Sequence, residues 1–324
     1  MTFADWVRDS REEIRENGWA GVREAVYEFY VGMYRQVGRR VNFGTPIYET
    51  DWDLLVVLDA CRWDLLAEVA DEYAFLDGEW TYSVGSSSAE WMRKNFAPEY
   101  ADEAARTAHV TANPYSERLL SAEDFRLLDE VWRDRWDESV RTIPAAGVTE
   151  RAIHAGRTTD ADRLIAHYMQ PHHPFVPDPM DDGLPRNEFG STPWDSVWHR
   201  LRHGAVDRDR VWDTYRDNLR YALDHVETLL ENVDAERAVI TADHGNLLGE
   251  FGLYAHPDYV PLPALKRVPW SVTTAEDRRT ADPDIDGDQV TETDASNPDA
   301  DATTDAAADD VSVADRLEHL GYKQ

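Results

Sequence analysis

Residues Asp53-Leu-Leu-Val-Val-Leu58 set five consecutive apolar side chains directly before Asp59. A strand with one face in water alternates apolar and polar residues. An unbroken run therefore reads as a central parallel strand covered on both faces. Three more short apolar runs follow, His109–Ala112, Leu164–Met169 and Ala238–Ala242. The segment from Arg62 to Tyr73 reads as a helix. Between the last two runs, Arg210 to Glu231 carries Trp212, Tyr215, Leu219, Ala222, Leu223, Val226 and Leu230 on one helical stripe. Strands alternating with helices predict an α/β fold, a three-layer α/β/α sandwich on a mostly parallel central sheet. Such sheets bind ligands at the carboxyl ends of their strands.

The pattern divides the chain into four parts. Residues 1–45 form an amphipathic helical segment, with Trp6, Val7, Ile14, Trp19, Val22, Val26, Phe29, Tyr30 and Met33 among charges of both signs. It reads as packed on the domain rather than lying on anionic lipid. Residues 46–273 form the main α/β domain. Residues 274–310 are rich in Asp, Ala and Thr and nearly devoid of large apolar residues, the composition of an acidic disordered segment. Residues 311–324 regain helical spacing through Val313, Leu317 and Leu320 and are predicted to dock back on the domain.

Charge narrows the function. The 324 residues carry 64 Asp and Glu against 33 Lys and Arg, a net charge of -31. Spread along the whole chain and with scarce lysine, this acidity reads as a surface adapted to high salt, where screening removes self-repulsion. It argues against nucleic acid as a partner. The single cysteine, Cys61, allows no internal disulfide and reads as a small buried residue. The charged start lacks the apolar core of a signal peptide, and no run of about 18 apolar residues occurs, so no transmembrane segment and a cytoplasmic location are expected.

Chemistry gathers where the apolar runs stop. Asp59 follows the first, His172-His173 follow the third, and Asp243-His244 follow the fourth. Carboxylates and imidazoles converging on one sheet edge suit a divalent cation such as Mn²⁺, Mg²⁺ or Zn²⁺. Gly85-Ser86-Ser87-Ser88 enters a helix, with a serine as N-cap. A hydroxyl at that end meets the positive pole of the helix, and a neighbouring cation would favour its alkoxide.

Taken together, VVLDACRWD, the Ser loop, HYMQPHHPF, YRDNLRYALDHVETLL, TADHGNLLGEFG and LKRVPW resemble, in order, the landmarks of sulfatase-like members of the alkaline phosphatase superfamily. The likeness covers residues 50 to 272 and the ending Leu317–Tyr322. It implies a sulfatase-like fold with a single divalent ion (Mn, Mg, Zn or Ca) held by Asp59, Asp243 and His244. It also implies a serine nucleophile, Ser87 by the register of the motif with Ser88 next. His172 corresponds to the anion-contacting histidine, and His256 to a cationic residue beside the leaving group. Arg62 or Arg93 could offset charge on the substrate. The expected substrate is a small anionic phosphate or sulfate ester, or a glycan- or lipid-linked one.

Two departures shape that expectation. The C/S-x-P-x-R signature that true sulfatases convert to formylglycine is absent, and Asp59-Ala60 stands where a calcium-type site has two aspartates. The remaining set resembles the single-metal core of lipoteichoic-acid-synthase-like and phosphoethanolamine-transferase-like enzymes. The alternatives are a sulfuric ester hydrolase with an unmodified serine and a non-catalytic anion- or glycan-binding relative. A phosphomutase would need a second metal, for which Asp195, His199 and His256 are the candidates.

Overall fold

The computed structural model describes residues 17–41, 43–180 and 196–283, with residues 6–8, 11, 14 and 15 near the start. Asp195, the acidic segment beyond residue 283 and the predicted C-terminal helix lie outside the described residues.

The apolar runs become strands of one seven-stranded sheet, ordered β2-β9-β6-β1-β5-β3-β4. These are β1 (Leu54–Leu58), β2 (Trp80–Tyr82), β3 (Thr107–Thr111), β4 (Leu127–Glu130), β5 (Arg163–Tyr168), β6 (Ala235–Thr241) and β9 (Arg267–Ala275). A short ladder of β7 (Leu247–Leu248) and β8 (Tyr254–Ala255) stands apart. Strand β1 pairs in parallel with β5 and β6, β5 with β3, and β3 with β4. At the other edge β9 runs antiparallel to β6 and β2.

Burial on both faces explains the unbroken apolar runs. Leu54, Val56, Leu58, Ala166 and Ile240 face one core, and Leu55, Val57, Ile165 and Val239 face the other. Helices α4 (Ala145–Thr158) and α6 (Arg208–Leu230) cover the first face with Val148, Ala152, Tyr215, Leu219 and Val226. Helix α6 starts at the Asp207 N-cap, whose Oδ1 accepts from Asp209 N and Arg210 N. Helix α3 (Ser88–Asn95) lies on the second face with Trp91 and Met92, beside Tyr48 and Trp52. The helix expected after β1 is shorter than its pattern suggested: α2 spans Trp63–Ala67, and a 3-10 turn at Ala70–Glu72 follows. Phe175, Trp198 and Tyr215 pack against one another.

Helix α1 (Trp19–Gly38) docks Val31, Tyr27, Tyr30 and Tyr34 on a third cluster of Leu247, Leu253, Val260, Leu262 and Leu265. No helix among the described residues is long and apolar enough to cross a membrane.

Near that cluster Lys266 is buried, its ammonium donating to Phe43 O at 2.7 Å and Val84 O at 2.9 Å. Burial pushes its pKa down from 10.5 to about 8. Between those values the unfolded chain holds a proton that the folded chain lacks, so stability rises with pH. Below pH 8 the full cost of the buried charge is present, at most about 3 kcal/mol. Denaturant unfolding from pH 7.5 to 10.5 is expected to show this rise, and Lys266→Met to flatten it. Equal pH slopes in the two proteins would refute it.

Candidate functional site

Strand β1 delivers Asp59, and the chain then turns sharply through Ala60 in left-handed backbone, φ 60°. Such a conformation costs a non-glycine residue about 1 kcal/mol or more. Two contacts hold it: Ala60 N donates to Asp243 Oδ1 at 3.0 Å, and the Tyr215 hydroxyl donates to Ala60 O. The turn thereby joins the ends of β1 and β6. Asp243 Oδ1 accepts from His244 N as well, at 2.8 Å. Gly245 follows because nothing larger fits, since a Cβ there would stand 2.2 Å from Ala264 O.

Asp59, Asp243 and His244 are fully buried and adjoin one another. His244 Nε2 lies 3.7 Å from Asp59 Oδ1 and 3.4 Å from Asp243 Oδ2. His244 Nδ1 donates to Gly245 O at 2.7 Å, which turns Nε2 toward the carboxylates.

His167, on β5, completes the cluster and was not among the residues expected from sequence. Its Nε2 is 3.9 Å from Asp59 Oδ2 and 3.8 Å from Asp243 Oδ2. One donor atom each of Asp59, His167 and Asp243 lies within 4.8 Å of the others. Neither nitrogen of His167 nor Asp243 Oδ2 has a hydrogen-bond partner. Orphaned buried polar atoms are costly, and these face one another just beyond hydrogen-bond reach. Two carboxylates and two imidazoles around such a gap fit a divalent cation of borderline softness. Burial opposes ionisation of Asp243, but the His244 and His167 rings outweigh it and hold the carboxyl well below the usual range. Asn113, also unforeseen, donates to Asp59 Oδ2 at 2.7 Å.

The three serines part company. Ser86 Oγ lies 2.8 Å from Glu90 Oε2 and 3.0 Å from Pro257 O, one of which takes its proton. Ser87 is the N-cap of α3, accepting from Glu90 N at 3.2 Å, and its hydroxyl donates to Asp258. Ser88 alone points into the cluster, its Oγ 3.2 Å from both Asp59 Oδ2 and His244 Nε2. A single O–H can serve only one of those acceptors.

The remaining expected residues divide. His172 Nε2 meets His256 Nε2 at 2.9 Å, and the His256 ring stacks on His244 with centroids 4.7 Å apart. Because His172 Nδ1 faces His173 O, it carries the proton, and His256 Nε2–H is the donor between the rings. Burial, with His244 adding to it, pushes His172 down to about 3 and His256 well below its ordinary value, so the resting pair is uncharged. Arg62 is buried but occupied: its guanidinium binds Asp64 at 2.6 Å, Glu250 at 2.5 Å and Asn246 O at 3.0 Å. Those pairings make it a brace between α2 and the loop after β6. Arg93 is exposed. Cys61 is buried, and burial followed by Asp64 and Asp243 raises its thiol pKa.

No protein-family profile and no curated protein matches the chain. Solved structures do resemble it. The integral membrane lipooligosaccharide phosphoethanolamine transferase A from Neisseria meningitidis is 13% identical, with a TM-score of 0.42. The match covers 83% of this chain and 59% of that one, so this chain spans well under two thirds of its length. The C-terminal periplasmic domain of phosphoethanolamine transferase EptC from Campylobacter jejuni is 18% identical, TM-score 0.43, over 68% of this chain and 78% of that one. A putative sulfatase from Bacteroides thetaiotaomicron is 12% identical, TM-score 0.41, over 68% and 63%. Likeness at this level does not extend to the chemistry of the site.

Proposed function

We propose that this chain cleaves or transfers a phosphate or sulfate ester, with Ser88 as nucleophile and Asp59, Asp243 and His244 as ligands of one divalent cation. The observation that carries the reading is the position of Ser88: buried, in the first turn of α3, and 3.2 Å from two of the three ligands. The ordered sequence landmarks support the class of ester.

His167 extends the donor set, and Asn113 orients Asp59 by taking one lone pair of Oδ2. A cation held by these residues would supply Lewis acidity toward a non-bridging oxygen and lower the pKa of a hydroxyl beside it. Ser88 Oγ bonds to the phosphorus or sulfur as the bond to the departing alcohol oxygen breaks. Ser88 passes its proton to solvent water, and the departing oxygen takes one from solvent water. His256 and His172 stand beside the cluster as an uncharged pair joined through the His256 Nε2–H, so the departing side takes its proton from solvent water. The positive end of the α3 dipole, where Ser88 sits, would favour the anionic oxygens. Water or an acceptor alcohol then releases the ester group from Ser88.

Rapid quench with an aryl phosphate, phosphodiester or sulfate ester, followed by peptide mass spectrometry, tests the covalent step. The expected adduct sits on the peptide that carries Ser88 and vanishes in Ser88→Ala. A burst of aryl alcohol should accompany it. Turnover with neither burst nor adduct would point to direct attack by water and remove Ser88 from this role.

A further inference from the structure

A second cluster of ligand-type side chains lies outside that centre. Helix α5 (Val197–Arg202) is opened by Ser196, whose Oγ accepts from His199 N at 3.2 Å. One helical turn later His203 N donates to His199 O at 3.0 Å, which sets the two imidazoles on one face with centroids 4.2 Å apart. Histidines four apart on a helical turn are a common way to hold one ion. Glu24 of α1 comes to the same face, its Oε1 3.4 Å from His203 Nε2. One donor atom from each of the three lies within 4.8 Å of the others.

We propose that Glu24, His199 and His203 form a separate site for a borderline divalent transition metal such as Zn²⁺, which clamps α1 to α5. Two imidazole nitrogens and one carboxylate oxygen are the donors such ions favour over Mg²⁺ or Ca²⁺. Donors about 2.1 Å from a tetrahedral ion stand about 3.4 Å apart, so the Glu24–His203 pair is already spaced for it. Arg202 binds Glu24 Oε1 at 2.5 Å while lying 3.7 Å over the Tyr27 ring. This fixes the carboxylate, which has further lone pairs for an ion.

The site differs from the pairing expected from sequence. His199 is joined by His203 and Glu24, whereas His256 is turned toward His172 and His244. Its place gives it consequence. Trp198, the neighbour of His199, packs 6.4 Å from the ring of His173 and from that of Phe175. An ion here thus ties the N-terminal helix to the element backing the His172 loop.

Zinc titration against a competing chromophoric chelator, with the protein first stripped of metal, isolates this site in the Asp243→Asn background. One zinc should still bind, and thermal unfolding should shift up by a few degrees, about what saturating a native-state site gives. Adding His203→Ala or Glu24→Gln is expected to weaken that binding at least tenfold and to abolish the shift. In the wild type, His203→Ala should remove one zinc of two and leave the folded circular dichroism spectrum intact. Zinc affinity unchanged by both His203→Ala and Glu24→Gln overturns the site, as does a folded Asp243→Asn protein that binds none.

Discussion

Ser88→Ala is expected to lower turnover of an aryl phosphate or sulfate ester by at least about a thousandfold, the scale lost when a covalent nucleophile is removed. Ser87→Ala should keep turnover within about tenfold and lose about 1 kcal/mol of stability, because its hydroxyl caps α3. Steady-state kinetics at saturating metal, with a denaturant melt on each variant, separate the two effects. The contrast matters because motif register favours Ser87, whereas the fold turns Ser87 toward Asp258 and Ser88 toward Asp59 and His244. A dead Ser87→Ala enzyme beside an active Ser88→Ala one would reverse the assignment.

Gly245→Ala should be the most damaging small substitution near the site. A Cβ at Gly245 would stand 2.2 Å from Ala264 O and 3.1 Å from Arg62 Cγ. The first contact is with backbone, and Gly245 N donates to Leu265 O at 2.7 Å, so neither strand end can retreat. The strain is expected to cost about 3 kcal/mol or more and to displace Asp243 and His244. Gly32→Ala is the control: nothing lies within 4 Å of a Cβ there, and the residue is inside α1. That change should be neutral or stabilise by about 0.5–1 kcal/mol. Equilibrium unfolding decides. A Gly245→Ala protein as stable and active as wild type would show that the turn is not tight.

The parts of the fold legible in sequence are those with a purely local cause. Strands β1, β3, β5 and β6 announce themselves because burial on both faces keeps most of their central positions apolar, His109 and His167 being exceptions. Strands β2, β4 and β9 do not, since each is an edge or antiparallel strand in which water-facing residues break the apolar run, and Pro269 further disguises β9. The helix after β1 was read too long because 3-10 turns share much of its spacing.

At the site, Asp59, Asp243 and His244 were readable as polar residues where apolar runs end. His167 hid inside such a run, where it passes for core. The signal was available: an ionisable ring in a fully buried central strand is costly unless something at the site engages it. Asn113 and the serine orientation depend on how a loop and a helix N-terminus approach from other parts of the chain, which spacing does not encode. Arg62 was misjudged for the same reason, since Glu250 and Asn246 lie far along the chain.

The central claim is that a divalent cation held by Asp59, Asp243 and His244 supports ester chemistry at Ser88. Asp243→Asn tests it with little disturbance, since the amide oxygen keeps the acceptor used by Ala60 N and His244 N while the orphaned Oδ2 is lost. The measurement is turnover of aryl phosphate, phosphodiester and sulfate esters in high salt, after chelation and after adding back Mn²⁺, Mg²⁺ or Zn²⁺, for wild type and Asp243→Asn. Wild-type turnover should vanish on chelation and return with metal, and folded Asp243→Asn should show at least about a thousandfold less under every condition. Full activity after chelation, or a folded Asp243→Asn enzyme as active as wild type, would contradict the account.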